Sequence, residues 1–309
     1  MCCFWKKVDP TMFNEKRNYL FERYHNACNY FSENSAVLIQ LEKYIVTLVN
    51  NVIRSNYPEI EHDYNEASYL YPFWANYPPD NRGRAPIGDQ IPWIEVGEHS
   101  VGHKLCRLIS QNYRISETGL PSGADNRFIL YSPDIYTITS GLTDCAFIHL
   151  DIKSVGPRDD ADHTVISPYQ VSGDGIWQNP EGNMHNSPVL AAGKRASHLF
   201  YPALPPIYVL TNGDIAPTIH LFIKPVYQML SLSESNRRGQ PLSSIKSICV
   251  PNGLLLTSGP CYLNQYPGLF FPGKDDQSKD PQKMRVRVSF SILRQIAPWR
   301  ITNFTNRPF

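Results

Sequence analysis

The stretch from Asp125 to Lys153, DNRFILYSPDIYTITSGLTDCAFIHLDIK, limits the possible folds more than any other part of the chain. It is dense in β-branched and aromatic residues, which fit a pleated, half-buried surface. Read as the strands RFILYS, DIYTITS and CAFIHLDIK, it predicts a piece of sheet whose last strand ends in Asp151-Ile152-Lys153. Side chains alternate along a strand, so Asp151 and Lys153 share one face while Ile148, Leu150 and Ile152 take the other. A hairpin turning at Ser140-Gly141 returns Asp125 to the end of that strand. Two carboxylates and an ammonium then surround one point.

Such a trio suits metal-dependent cleavage of a phosphodiester. Hard oxygen ligands hold Mg²⁺ and leave positions for water and phosphate, and the ion lowers the pKa of the attacking water. The lysine orients that water or offsets charge in the transition state. The same spacing also describes an exposed strand carrying a surface ion pair, so spacing alone does not decide.

The 309 residues, with 42% hydrophobic and 18% charged content, suit one globular domain over residues 1–309 without disordered segments. A net charge of +1 gives no global pull toward nucleic acid, so any such function must rest on local clusters and bound metal. The cysteines Cys2, Cys3, Cys28, Cys106, Cys145, Cys249 and Cys261 are scattered and form no C-x-x-C pair. That argues against a disulfide framework or a zinc ribbon and for reduced thiols. The N-terminus lacks an apolar run with a cleavage site, and no stretch approaches about 18 uncharged apolar residues. The expectation is a cytoplasmic protein with no membrane partner.

The strongest helical period runs through Val37, Leu38, Leu41, Tyr44, Ile45, Leu48, Val49, Val52 and Ile53. Residues 1–34 show no clear period; Pro58 is expected to close the helical region, and residues 59–83 to wrap the surface as an arm. A second helix carries Val101, Leu105, Leu108 and Ile109 on one face. Glu98 stands at its start, where a carboxylate serves as a cap or stands beside a metal. The segment after Lys153 is a loop holding Arg158 and Asp159, and residues 165–205 read as a long polar loop. IYVL and TIHLFIK form a hairpin about Asn212-Gly213-Asp214. The polar turn with Arg237 and Arg238 precedes two short strands around Ile248 and Leu255. His149 and His185 are read as packing or surface residues.

From Met284 to Ile292 the alternation is strict, with Arg285 and Arg287 on the polar face and Lys274, Asp275 and Asp276 in the turn before. Guanidinium forks match guanine O6 and N7, and an aspartate accepts from the cytosine amino group. An amphipathic edge strand with solvated arginines has the same pattern.

Longer segments carry a resemblance. DYNEASYLYPFWANYPPDNRG, GDQIPWIEVGE, LDIKSVGPRD, APTIHLFIKP, VPNGL and FFPGKDD followed by RVRV are similar to the BglI-type restriction endonucleases, a branch of the PD-(D/E)xK nuclease superfamily. The similarity covers residues 60–290 and is weak in the first 50 residues and the last 15. It implies an α/β fold with a restriction-endonuclease-like core, a central mixed β-sheet flanked by helices. Residues 1–57 would form a helical part, 90–160 the catalytic core and 206–292 a DNA-reading sheet with its loops. It also implies a type II site-specific enzyme acting as a homodimer on double-stranded DNA with Mg²⁺, alongside a protective methyltransferase that is not a physical partner. Asp125 and Asp151 match the metal carboxylates, the Ile152 carbonyl faces the metal, and Lys153 matches the catalytic lysine. Glu98 matches a further acid. The superfamily's Pro-Asp pair is absent, since Pro121 lies four residues before Asp125. Asp159, Lys274, Asp276, Arg285 and Arg287 fall on base-reading positions, implying an interrupted palindrome of GCC and GGC separated by five unspecified bases. The competing expectations are a structure-specific repair nuclease and a DNA-binding protein without catalysis.

Overall fold

The computed structural model describes residues 10–75, 96–119, 121, 123–156, 162–193, 196–228, 240–273, 280 and 283–305. Arg158, Asp159, Arg237, Arg238, Lys274, Asp275 and Asp276 lie outside the described residues. The described residues hold twelve strands in chain order: β1 (Arg114–Glu117), β2 (Asn126–Tyr131), β3 (Cys145–Ile152), β4 (His163–Ile166), β5 (Val189–Ala192) and β6 (Ser197–Phe200), then β7 (Ile207–Val209), β8 (Ile215–Tyr227), β9 (Leu242–Val250), β10 (Phe270–Phe271), β11 (Val286–Ser289) and β12 (Ile301–Phe304).

Seven of them form the central sheet, ordered β1-β2-β3-β8-β9-β12, with β7 also paired to β8. Only β3 and β8 run parallel, so the sheet is mixed, and helices flank it as expected. Both inner strands are sealed. All eight residues of β3 and the first twelve of β8 are buried, as expected for strands covered on both faces. A separate three-stranded sheet is ordered β10-β11-β4, and β5 and β6 form a hairpin.

Three long helices precede the sheet: α1 (Pro10–Glu33), α2 (Ser35–Ser55) and α3 (Tyr57–Ala75). In α2 the periodic residues Leu38, Leu41, Ile45, Leu48, Val49 and Ile53 are buried, and the helix packs across β8, β9 and β12. By length and composition α2 is also apolar enough to cross a membrane, alone among the described residues, and half of that window is buried inside the fold. Pro58 does not end the helical region. It is the second residue of α3, where its missing N–H would have had no intrahelical partner. The expected surface arm at 59–75 is therefore a helix, tied down through Lys104, whose ammonium meets Glu59 and lies 2.7 Å from Asp63 Oδ2.

Other expectations fail for local reasons. DIYTITS is not a strand: Ser132 caps a short helix, α5 (Pro133–Ile138), accepting from Asp134 N at 3.2 Å with proline at the first position. The chain then reverses through Ser140 and Gly141, at φ 53° and 87°. The alternation at 284–292 stops at Ser289, whose hydroxyl accepts from Ile292 N at 3.4 Å and starts a helix, Phe290–Ile296. Ile248 lies in the nine-residue β9, whereas Leu255 lies in a helical turn, Gly253–Thr257. The polar span 165–205 contains β5, β6 and the end of β4, and is not one loop. The 207–227 hairpin is as expected, with Gly213 at φ 89° in its turn. Cys28, Cys106, Cys145, Cys249 and Cys261 are free thiols.

One buried ion pair joins the two ends of the described chain. Glu42 of α2 and Arg300, both without solvent exposure, meet at 2.6 Å, and Glu42 Oε1 accepts from Asn252 N at 2.7 Å. Arg300 also stacks 4.4 Å from the Trp299 ring. Removing one partner of such a pair strands a buried charge. Arg300→Leu or Glu42→Leu is therefore expected to cost about 3–5 kcal/mol, measured by urea unfolding, and the double apolar variant is expected to recover much of that loss.

Candidate active site

The pairing of β2 with β3 builds the site. Asn126 stands opposite Leu150 and Arg127 opposite His149, so Asp125, one residue before β2, falls level with Asp151. Its Oδ2 accepts from the Ile152 amide at 2.6 Å, extending the strand pairing through a side chain. Beyond β3, Lys153 N donates to Ile223 O at 2.8 Å. The backbone thus stays extended, and the lysine remains on the face of Asp151, with Nζ 2.7 Å from Asp151 Oδ2. The expected convergence of Asp125, Asp151 and Lys153 is present, although a helix and not a plain turn connects the strands.

Gln170 completes the arrangement. It ends the short helical turn Pro168–Gln170, its Nε2 donates to Asp151 Oδ1 at 2.8 Å, and its Oε1 accepts from Lys153 Nζ at 3.3 Å. Sequence reading passed over it inside the span taken as a loop. A signal existed, because Ser167-Pro168-Tyr169-Gln170 is a capping-box pattern.

Glu98 opens a π-helical turn, Glu98–His103, which runs into the helix α4 (Lys104–Ser110). Val101, Leu105, Leu108 and Ile109 are buried as the sequence predicts. Single π-helical turns are frequent at functional sites. Glu98 acts on the centre through its charge. Burial raises the Asp151 pKa to about 6; Lys153 opposes the shift, and the charges of Asp125 and Glu98 reinforce it. Beneath Asp151 on the same strand face, His149 is buried, and burial followed by the charge of Arg127 lowers its pKa to about 3. It is neutral packing, as expected, and His185 is exposed.

This donor set fits a divalent cation. Asp151 is 3% exposed, yet two further negative charges bear on it, so a cation would relieve what burial and repulsion impose. Among the described residues no three His, Cys, Asp or Glu side chains are grouped to enclose an ion. Two carboxylates with a main-chain carbonyl would instead leave positions for water and phosphate. Beside Asp125 opens a cleft of about 750 Å³, lined in part by His103, Arg107, Glu117, Asn126 and Arg127. Arg107 and Arg127 bring two guanidinium groups to its wall, beside the carboxylates of Asp125 and Glu117.

Of the positions expected to read bases, Arg287 lies on β11 and Arg285 immediately before it; Arg285 is exposed and Arg287 half-buried. Val286 and Val288 point into the core, so the expected two-faced strand exists over four residues. β11 pairs with β4, placing Arg287 opposite Val165, and β4 leads directly into the turn that carries Gln170.

Comparison with known proteins adds the family. A family model described as restriction endonuclease BglI matches residues 19–304, more of the chain than the quoted segments suggested. The type II restriction enzyme BglI of Bacillus subtilis is 48% identical over 291 residues, covering 93% of this chain and 97% of that enzyme. The crystal structure of the restriction endonuclease BglI bound to its DNA recognition sequence superposes with a TM-score of 0.86 at 47% identity, covering 95% of this chain and 99% of that one. The tetrameric restriction endonuclease SfiI, bound to cognate DNA, matches at a TM-score of 0.55 and 14% identity over 87% of this chain and 85% of that one, a likeness of fold.

The raised Asp151 pKa has a thermodynamic consequence. A carboxyl whose folded-state pKa exceeds its unfolded value stabilises fully below the unfolded value, and that contribution is lost as pH rises through the folded value. Between pH 4 and pH 7 the metal-free protein should lose on the order of 3 kcal/mol through Asp151. Urea unfolding of Asp151→Asn across this range should lack that component of the slope.

Proposed function

We start from the fact that the chain belongs to the BglI restriction endonuclease family, and we propose that Asp125, Asp151 and Lys153 are the groups with which it cleaves DNA. The chain is a type II restriction endonuclease, a site-specific hydrolase of phosphodiester bonds in duplex DNA that works with a divalent metal ion. The observation supporting the assignment is the convergence of Asp125, Asp151 and Lys153 at the paired ends of β2 and β3.

Asp125, Asp151 and the Ile152 carbonyl would hold the ion, with Mg²⁺ as the proposed species and Glu98 adding charge nearby. Bound there, it supplies Lewis-acid polarisation of the phosphoryl group and a more acidic water. Lys153, fixed by Asp151 and Gln170, presents its ammonium to orient the attacking water and to offset charge on the phosphoryl oxygens. Burial of β3 takes Asp151 out of water, which strengthens its interactions, whereas Asp125 is exposed at the cleft. The products would carry 5′-phosphate and 3′-hydroxyl ends.

Base reading is assigned to Asp159, Lys274, Asp276, Arg285 and Arg287, whose chemistry suits G·C pairs. The proposed site is GCC and GGC separated by five unspecified base pairs, read by a homodimer with one half-site per subunit. A protective methyltransferase and a cytoplasmic location are parts of the same proposal.

A plasmid of known sequence, digested with and without Mg²⁺ and mapped at its ends, tests this. The expected result is discrete Mg²⁺-dependent fragments ending at the proposed site; random cutting would remove the base-reading assignments. Lys153→Ala is expected to abolish cleavage while leaving DNA binding in place, and retained cutting would take the lysine out of the centre. Arg287→Ala should cost about 1–3 kcal/mol of binding and loosen choice at one base pair. A loss equal on all sequences would make it a phosphate contact.

A further inference from the structure

We propose that Gln170 is a positioning residue of the cleavage centre, holding the Asp151 carboxylate and the Lys153 ammonium in one fixed relation for the divalent ion. The inference rests on the nuclease reading above. Gln170 is 8% exposed, and both ends of its amide are engaged. Nε2 donates to Asp151 Oδ1 at 2.8 Å, while Oε1 accepts from Lys153 Nζ at 3.3 Å and from Ser167 N at 2.9 Å.

The chemistry calls for an amide at this place. A carboxylate needs a donor and an ammonium needs an acceptor; glutamine offers both on one planar, uncharged group. Glutamate would lack the donor for Asp151, and a cation would lack the acceptor for Lys153. Rotation about the last torsion of an aspartate is soft, so strand geometry places the carboxyl but does not fix its plane. With Oδ1 bonded to Gln170 and Oδ2 2.7 Å from Lys153, that plane is set before any ligand arrives.

The turn is itself held at both ends. It follows β4, and Ser167 and Gln170 close a reciprocal capping box. Just beyond it, Ser172 N donates to His220 Nε2 at 3.0 Å, and Ser172 Oγ accepts from Gly253 N at 2.8 Å. Gln170 therefore cannot follow Asp151 if the carboxylate swings; it stays in place and restrains it. Partners that hydrogen-bond metal-ligating carboxylates carry this kind of effect.

The test is Gln170→Met in the full chain, which keeps length and removes hydrogen bonding. Four quantities are read: Ca²⁺ affinity of the protein–DNA complex by titration calorimetry, kcat and KM for Mg²⁺-dependent cleavage, metal-free DNA affinity, and the urea midpoint. Ca²⁺ affinity and kcat should each fall roughly 10–100-fold, with KM and metal-free DNA affinity within roughly twofold of the wild type. Wild-type kcat and Ca²⁺ affinity would overturn the proposal. So would a loss of kcat that tracks an equal loss of metal-free DNA affinity and of folded protein, since that marks a merely structural residue. Gln170→Glu guards against misfolding, because it keeps the acceptor for Ser167 N and removes the donor to Asp151. It should stay folded and still lose kcat, and wild-type kcat in this variant overturns the role. If the wild-type protein neither cuts duplex DNA nor binds Ca²⁺, the nuclease reading fails first and takes this inference with it.

Discussion

The proposed cleavage centre depends on one register, the alignment of β2 on β3 that sets Asn126 against Leu150. Because side chains alternate, a slip of one residue would turn Asp151 into the layer of Ile148, Leu150 and Ile152, and Asp125 would lose the Ile152 amide. That slip would bury an unpaired carboxylate among aliphatic side chains at a cost of several kcal/mol. The parallel partner β8 enforces the alignment from the other side, matching His149 with His220 and Asp151 with Phe222. Sealing β3 on both faces makes the register nearly unique and also desolvates Asp151. Order and reactivity come from the same burial.

The helical layer bears on this strand pair from a distance. Glu42 of α2 reaches Asn252 N, and Asn252 Nδ2 donates to Pro206 O and Thr218 O at 2.8 and 2.9 Å. Thr218 lies on β8 opposite Phe147 of β3. A continuous run of polar contacts thus joins the Arg300 pair to β8, the strand beside β3. The bonded groups satisfy one another, which is how polar atoms remain in an interior otherwise apolar, while the buried Arg300 Nε is left without a hydrogen-bond partner.

Much of this was legible in the sequence where a single physical rule dominated. The 3.6-residue period of α2 reflects one face packed and one not, whereas β3 is packed on both faces and its two-residue period sorts Asp151 and Lys153 from Ile148, Leu150 and Ile152. The hairpin about Asn212-Gly213-Asp214 followed from turn chemistry. Reading failed where a capping residue interrupts an otherwise strand-like run, at Ser132-Pro133 and at Ser289, because one side-chain hydrogen bond there outweighs the propensity of the residues after it. It failed at Pro58 because a proline that stops a helix also suits a first turn. Within the site, Asp125, Asp151 and Lys153 were visible through alternation and chain reversal. Gln170 was not, since its part depends on where β4 delivers a turn, and β4 meets β11 more than a hundred residues along the chain.

The contact between Ser172 and Gly253 also limits how such a sequence can drift. A Cβ placed at Gly253 would lie 1.8 Å from Gly173 O, a clash with backbone that no side-chain adjustment relieves. Two segments some eighty positions apart are thereby bound together, because position 253 cannot carry a side chain unless the main chain at Gly173 moves away.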